Sequence, residues 1–274
     1  MTKIIGFAGT KQAGKTTASN FLHGYQMRCH SVINNFSILE DGKLMVESVI
    51  KSEDGEEYES KGMLDVNRSD MEFAEWAAYN MWPFVKSYSM ARPLKEFCIH
   101  MFKLNRSEVY GNNAQKDLKT KYRWEDMPGV TDKTGRMTNR EFLQFFGSDL
   151  CRKIYPDIWQ RRLVDDIQAE QPLLAVIDDL RFPNEVEAIQ DAGGKVIYLT
   201  RNPYEDSHHS ENQLANYDGM DAVIDNANLG IHDVNVELVR LLESWGWLGG
   251  AVVPSKIQPR TEPNTSGIHT FKKG

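Results

Sequence analysis

The sequence predicts an α/β fold: a parallel sheet covered by helices on both faces, with a phosphate-binding loop at its carboxyl edge. Three observations lead there. The eight residues Gly9-Thr10-Lys11-Gln12-Ala13-Gly14-Lys15-Thr16 fit G-x-x-x-x-G-K-[ST] without a mismatch, between an apolar run at residues 4–8 and a helix-forming run at residues 16–22. Leu173-Leu174-Ala175-Val176-Ile177 is an unbroken apolar run, as a strand buried on both faces requires. Strand-like and helix-like stretches alternate along the chain, which is the pattern of parallel strands joined by crossover helices.

Taken in order, residues 4–8 read as a short buried strand, and Gly9 and Gly14 let the loop after it fold around an anion with its N–H groups pointing inward. The following helix adds roughly half a positive charge at its start. Residues 37–46 read as two short strands around Asp41-Gly42, and Asp54-Gly55 gives a second turn. Residues 31–68 are therefore expected to form a β-hairpin insertion, with disorder at the acidic tip 53–59 as the alternative. A helix is expected over 70–81 and a core strand over 84–89, and Pro93 marks the start of another helix. Residues 111–138 are polar and carry Lys116, Lys119, Lys121, Arg123, Lys133, Arg136 and a Pro128-Gly129 turn, so a long mobile loop is expected. Thr138 with Glu141 three residues on caps a helix running to about residue 154, whose apolar side carries Phe142, Phe145 and Phe146 as core. After the strand at 173–177 come a helix from near Asn184, strands at 196–200 and 222–225, and a last helix at 233–245. Residues 1–248 are read as one domain, and the Gly-, Pro- and Ser-rich residues 249–274 as a disordered or peripheral tail.

Composition narrows the function classes. The 274 residues are 41% hydrophobic, enough for a globular core. Lys and Arg total 32 against 39 Asp and Glu, for a net charge of −7 with no long basic block, so stable binding to nucleic acid is not expected. Cys29, Cys98 and Cys151 lack metal-type spacing and suit a reducing compartment. No apolar run approaches the ~20 residues that span a bilayer. These features predict a soluble cytoplasmic protein.

The phosphate loop assigns the first chemistry. Gly9, Gly14, Lys15, Thr16 and Thr17 are expected to hold nucleotide phosphates, with Lys15 on the β/γ-phosphates and the Thr16 hydroxyl on Mg²⁺. Asp178 and Asp179 end the most hydrophobic strand after the loop, where a carboxylate completes the Mg²⁺ shell, and Asp179 is the chosen one. Arg181, at the carboxyl edge of the sheet, is placed to clamp a phosphate bidentately, with a salt bridge to Glu185 as the structural alternative. No Ser-His-Asp or Cys-His arrangement stands out, in keeping with phosphoryl transfer, which needs positioning and charge neutralisation rather than a protein nucleophile.

The loop, Tyr88-Ser89-Met90-Ala91-Arg92-Pro93-Leu94-Lys95-Glu96, Leu143-Gln144-Phe145-Phe146-Gly147-Ser148-Asp149, Asp179-Leu180-Arg181 and His208-His209-Ser210-Glu211 together resemble the deoxynucleoside monophosphate kinases of tailed phages, over residues 1 to about 245. The resemblance implies a phosphate-loop NTPase fold of the nucleoside monophosphate kinase kind, with a lid at about 201–220. It implies transfer of the γ-phosphate of ATP to a deoxynucleoside 5′-monophosphate with Mg²⁺, in the host cytoplasm if the source is a phage. On that reading Lys15, Asp179 and Arg181 are catalytic. Arg201 serves the ATP phosphates, and the loop at 225–230, with Asn226, cradles adenine. Arg92, Lys95, Gln144, Arg181, Ser210 and Glu211 serve the acceptor; Gln144 would bond its base, while Ser210 and Glu211 lie in the lid, where the adjacent histidines lack zinc-like spacing. Arg92, Ser148 and the hairpin at 31–68 depart from the family pattern and leave the acceptor's identity open. Which of Arg92, Arg136, Arg140, Arg152, Arg161 and Arg162 contact phosphate is also left open, as is a homodimer. A kinase of another acceptor, such as dephospho-coenzyme A, and a phosphate-loop ATPase driving a partner are the alternatives.

Overall fold

The computed structural model of the chain describes residues 2–51, 56–68, 70–203 and 213–247. In chain order the elements are β1 (Lys3–Ala8), α1 (Lys15–Cys29), β2 (Asn35–Ile38), β3 (Leu44–Lys51), β4 (Glu57–Leu64), α2 (Met71–Asn80), β5 (Val85–Tyr88), α3 (Arg92–Phe102), α4 (Arg106–Val109), α5 (Asn113–Lys116) and β6 (Lys119–Arg123). A 3-10 turn at Trp124–Asp126 leads to β7 (Arg136–Thr138) and α6 (Asn139–Gln144), a π segment at Phe145–Cys151 and α7 (Arg152–Ile154). The chain continues through α8 (Ile158–Glu170), β8 (Leu174–Ile177), α9 (Pro183–Asp191), β9 (Lys195–Leu199), β10 (Ala222–Ile224) and α10 (Ile231–Ser244).

Two compact units result, one from the residues before Ser89 and from Ile167 onward, the other from Ser89–Asp166. The first holds a five-stranded sheet in the order β10-β9-β1-β8-β5, with every pair parallel. All four residues of β8 are buried, and five of the six in β1, which is why both read as continuous apolar runs. The chain goes from β1 out to β5, returns to β8 beside β1, then crosses to β9 and β10 on the other side. The direction of winding reverses at β1, and in open α/β sheets ligands bind outside the carboxyl ends of the strands at such a point. The loop after β1 occupies it. Ile5, Phe7, Leu22, Met27, Leu44, Val176, Ile197 and Leu238 are among the buried residues that fill this unit's core.

The insertion is more than the expected hairpin: β2, β3 and β4 form a three-stranded antiparallel sheet. Residues 52–55 at its acidic tip lie outside the described residues, as do the 249–274 tail and residues 204–212 of the expected lid. Residues 111–138 carry more regular structure than the expected loop. They fold as α5, β6, a 3-10 turn and β7 rather than as a structureless loop, because Trp124 and Met137 are buried against Phe142 and Phe145 in the second unit's core. The basic residues that suggested a loop stand between those apolar anchors. Thr138 and Glu141 make the reciprocal capping box at α6, but the helix passes into the π segment instead of running straight to residue 154. Helix α8 has no counterpart among the expected elements, although Trp159, Leu163 and Ile167 recur every fourth residue and are buried. Among the described residues no helix is long and apolar enough to cross a membrane.

Candidate active site

The glycine loop is tightened by contacts that only glycine permits. Gly9 has φ +142, and a Cβ there would lie 2.7 Å from the Leu199 carbonyl oxygen. Gly14 precedes α1 with φ +102. The Lys15 ammonium folds over the loop and donates to the carbonyls of Gly9 and Thr10, both at 2.7 Å. Thr16, exposed on the first turn of α1, donates its hydroxyl to Asp178 Oδ2 at 2.8 Å.

That bond bears on the choice of metal carboxylate. The Thr16 hydroxyl reaches Asp178, one residue before the Asp179 that the sequence reading chose. Burial and the neighbouring charge of Asp179 push the Asp178 carboxyl above the usual carboxylate range, against the Thr16 hydroxyl and the Lys15 ammonium, which favour its charged form. The donor set fits Mg²⁺: a hydroxyl and a carboxylate oxygen in hydrogen-bond contact beside the Lys15-bearing glycine loop. Mg²⁺ takes one or two protein oxygens and fills the remaining positions with phosphate and water.

Arg181 follows β8 and is exposed. The Glu185 alternative does not take the form of a salt bridge: the buried Glu185 carboxylate accepts the backbone N–H groups of Arg181 at 2.8 Å and Phe182 at 3.2 Å, capping α9. The Arg181 guanidinium makes no ion pair with a described residue.

Two residues read from the sequence as nucleotide contacts are engaged inside the protein. Asn226 is 2% exposed; its amide donates to the Ala13 carbonyl at 2.8 Å and accepts from the Arg201 N–H at 2.7 Å. The Arg201 guanidinium donates to the carbonyls of Asn226 (3.2 Å) and Leu229 (2.6 Å), and the Thr10 hydroxyl donates to the Arg201 carbonyl at 3.0 Å. Together they brace the glycine loop against the ends of β9 and β10. Nothing in the local sequence signals this role, because each partner is about 190 residues or more from the loop it holds.

The second unit carries Arg92, Lys95 and Gln144. Arg92 opens α3, with Pro93 in its first turn. The Lys95 ammonium lies 4.8 Å from the centre of the Tyr110 ring. Glu96 pairs with Arg106 and accepts the Tyr110 hydroxyl at 2.7 Å. Arg106, which the sequence reading did not select, therefore has a carboxylate partner. Gln144 is exposed at the end of α6, next to the π segment; such irregularities are frequent at functional sites. Among the arginines left open, Arg136 donates to the Thr120 carbonyl at 2.6 Å, Arg140 pairs with Asp117 at 2.9 Å and Arg162 with Asp166 at 2.9 Å, while Arg161 lies over the Tyr155 ring. Ser210 and Glu211 lie outside the described residues.

A parallel sheet that reverses at β1, with a lysine-bearing glycine loop and a Thr–Asp pair at its carboxyl edge, defines the class of nucleoside monophosphate kinase-like α/β proteins. The profile of the deoxynucleotide monophosphate kinase family matches residues 3–234, and the chain belongs to that family. A protein of Acanthamoeba polyphaga mimivirus, itself assigned as a deoxynucleotide monophosphate kinase, is 30% identical over 156 residues, covering 50% of this chain and 73% of the viral protein.

Proposed function

We propose that the protein moves the γ-phosphoryl group of ATP onto the 5′-phosphate of a deoxynucleoside monophosphate, giving a deoxynucleoside diphosphate and ADP, with Mg²⁺ as the required ion. The observation that carries this reading is the Thr16–Asp178 hydrogen bond of 2.8 Å beside the Lys15-bearing loop, in a chain of this family. A phosphate oxygen of the acceptor attacks the γ-phosphorus, and the bond to the bridging β–γ oxygen breaks with its electron pair going to ADP. No protein nucleophile takes part. Lys15 exchanges its two carbonyl partners for the β/γ-phosphates. Thr16 and Asp178 would hold the Mg²⁺, with Asp179 as a further carboxylate beside them. When bound, the ion would neutralise the negative charge of the transferring phosphates. Arg181 offers a planar fork to the transferring or accepting phosphate. Arg92 and Lys95 supply charge for the acceptor phosphate, and Gln144 a hydrogen bond for its base. Asn226 and Arg201 act by holding the loop in place. ATP and deoxynucleotides are cytoplasmic metabolites, and that is the setting we assign.

Initial rates of ADP release, measured with Mg²⁺-ATP and a panel of dGMP, dTMP, dCMP, modified dCMP and dephospho-coenzyme A, test the reading. A rate that depends on a deoxynucleoside monophosphate supports it. A rate that responds only to dephospho-coenzyme A moves the chemistry to another acceptor. Phosphate release indifferent to every acceptor makes the protein an ATPase.

A further inference from the structure

The insertion sheet is built onto the helix that follows the phosphate loop, and its contacts run along one face of that helix. Thr17, Asn20 and Gly24 are spaced by three and four residues, so they share a face of α1. At Gly24 the ring of Phe36 from β2 lies so close that a Cβ would be 2.3 Å from it. One turn nearer the loop, the Asn20 amide donates to the Gly42 carbonyl at 2.9 Å. In the first turn of α1 the Thr17 hydroxyl lies 2.3 Å from where a Cβ on Gly42 would stand, and Gly42 has φ +82. The turn between β2 and β3 therefore rests on the phosphate end of α1, not on its far end.

The turn is also preorganised. Leu39 and Lys43 are joined by a backbone hydrogen bond of 2.9 Å, and Gly42 donates to Leu39 at 2.8 Å. Asp41 pairs with the Lys43 ammonium at 2.6 Å and accepts its N–H at 3.1 Å. The next residue, Leu44, is fully buried in the main core. A hairpin serving only to cover α1 would need the apolar contacts of Phe36, Ile38 and Leu44, but not a polar turn closed against Thr17.

We infer that the turn formed by residues 39–43 is a positioning element of the donor-nucleotide site: it fixes Thr17 and the first turn of α1, where a nucleoside polyphosphate places its phosphates. This rests on the ATP-dependent reading above. The side chains that touch the donor remain those of the loop; Gly42 and Asn20 act through Thr17.

The experiment measures Kd for ADP with the full-length protein, KM for ATP and for the deoxynucleoside monophosphate, and Tm, in wild type, Asn20→Ala, Gly42→Ala, Thr17→Ala and Gly42→Ala/Thr17→Ala. Asn20→Ala should weaken ADP binding about fivefold, the equivalent of one ordinary hydrogen bond, and raise KM for ATP to match. The acceptor KM should stay unchanged. Gly42→Ala should weaken ADP binding more than Asn20→Ala does, and less so when Thr17→Ala has already removed the atom that the new methyl strikes. A folded Asn20→Ala protein with wild-type ADP affinity overturns the inference, as does an equal penalty for Gly42→Ala in both backgrounds. If Gly42→Ala does not fold, Asn20→Ala decides alone. Wild-type protein that neither binds ADP nor transfers phosphate instead overturns the proposed function, and the turn's role falls with it.

Discussion

At the scale of single residues, the account turns on which carboxylate stands beside Thr16. Asp178→Asn keeps the shape and one acceptor oxygen but removes the charge that would face the ion. It should lower kcat by about two to three orders of magnitude, as loss of one preorganised electrostatic group does, and raise the Mg²⁺ concentration needed for half-maximal rate. Asp179→Asn should be milder, because the Thr16 hydroxyl donates to Asp178. Mg²⁺ titrations of both variants check the order; a sensitive Asp179 with a tolerant Asp178 would restore the original register. That register could not be read from the chain. Two adjacent aspartates end the same strand, and which of them turns toward the loop depends on the last peptide of β8 and on its partner 162 residues away.

At the scale of elements, α1 carries two consequences of close packing. Gly24→Ala gains about 1 kcal/mol of helix propensity. Its methyl group meets the Phe36 ring at 2.3 Å, however, and overpacking of that kind costs about 1–3 kcal/mol. The clash should win, so Tm falls, and Gly24→Ala combined with Phe36→Leu should recover part of the loss. His23 is fully buried one turn after Ser19, and since a carbonyl can only accept, its Nδ1–H donates to the Ser19 oxygen at 2.8 Å. Burial lowers its pKa from 6.5 to about 4. The unfolded chain therefore binds the proton more readily than the folded one. Stability should be complete above about pH 6.5 and fall as the pH drops toward 4, by about 3 kcal/mol in all. Denaturant titrations of wild type and His23→Leu across that range should show a steeper acid loss in wild type; equal slopes would mean that His23 titrates normally. The elements themselves were legible where one signal dominated: the apolar run of β8, the capping box at Thr138, and the glycine loop between β1 and α1. They were not where apolar anchors are sparse among charges, as at Trp124 and Met137, or where the period is one residue in four, as in α8.

At the scale of the whole molecule, the parallel sheet and the family could be read from motifs that are local in sequence, whereas the partition into two units could not. The second unit, Ser89–Asp166, lies in the chain between β5 and β8, and its core of Cys98, Val109, Trp124, Phe142 and Phe145 is assembled from segments that each look amphipathic or polar alone. The bracing of the glycine loop by Asn226 and Arg201 was hidden for the same reason, since its partners meet only in the finished fold. The central claim is that the Lys15 loop delivers a phosphoryl group to a deoxynucleotide. It is tested most directly by following the label from ATP labelled in its γ-phosphate, with a deoxynucleoside monophosphate and Mg²⁺, in wild type and Lys15→Met. Removing one flexible cation that fills no core volume should leave Tm unchanged. The predicted result is label in the deoxynucleoside diphosphate with wild type and none above background with Lys15→Met. Label found only in inorganic phosphate, or normal transfer by a folded Lys15→Met protein, would contradict the account.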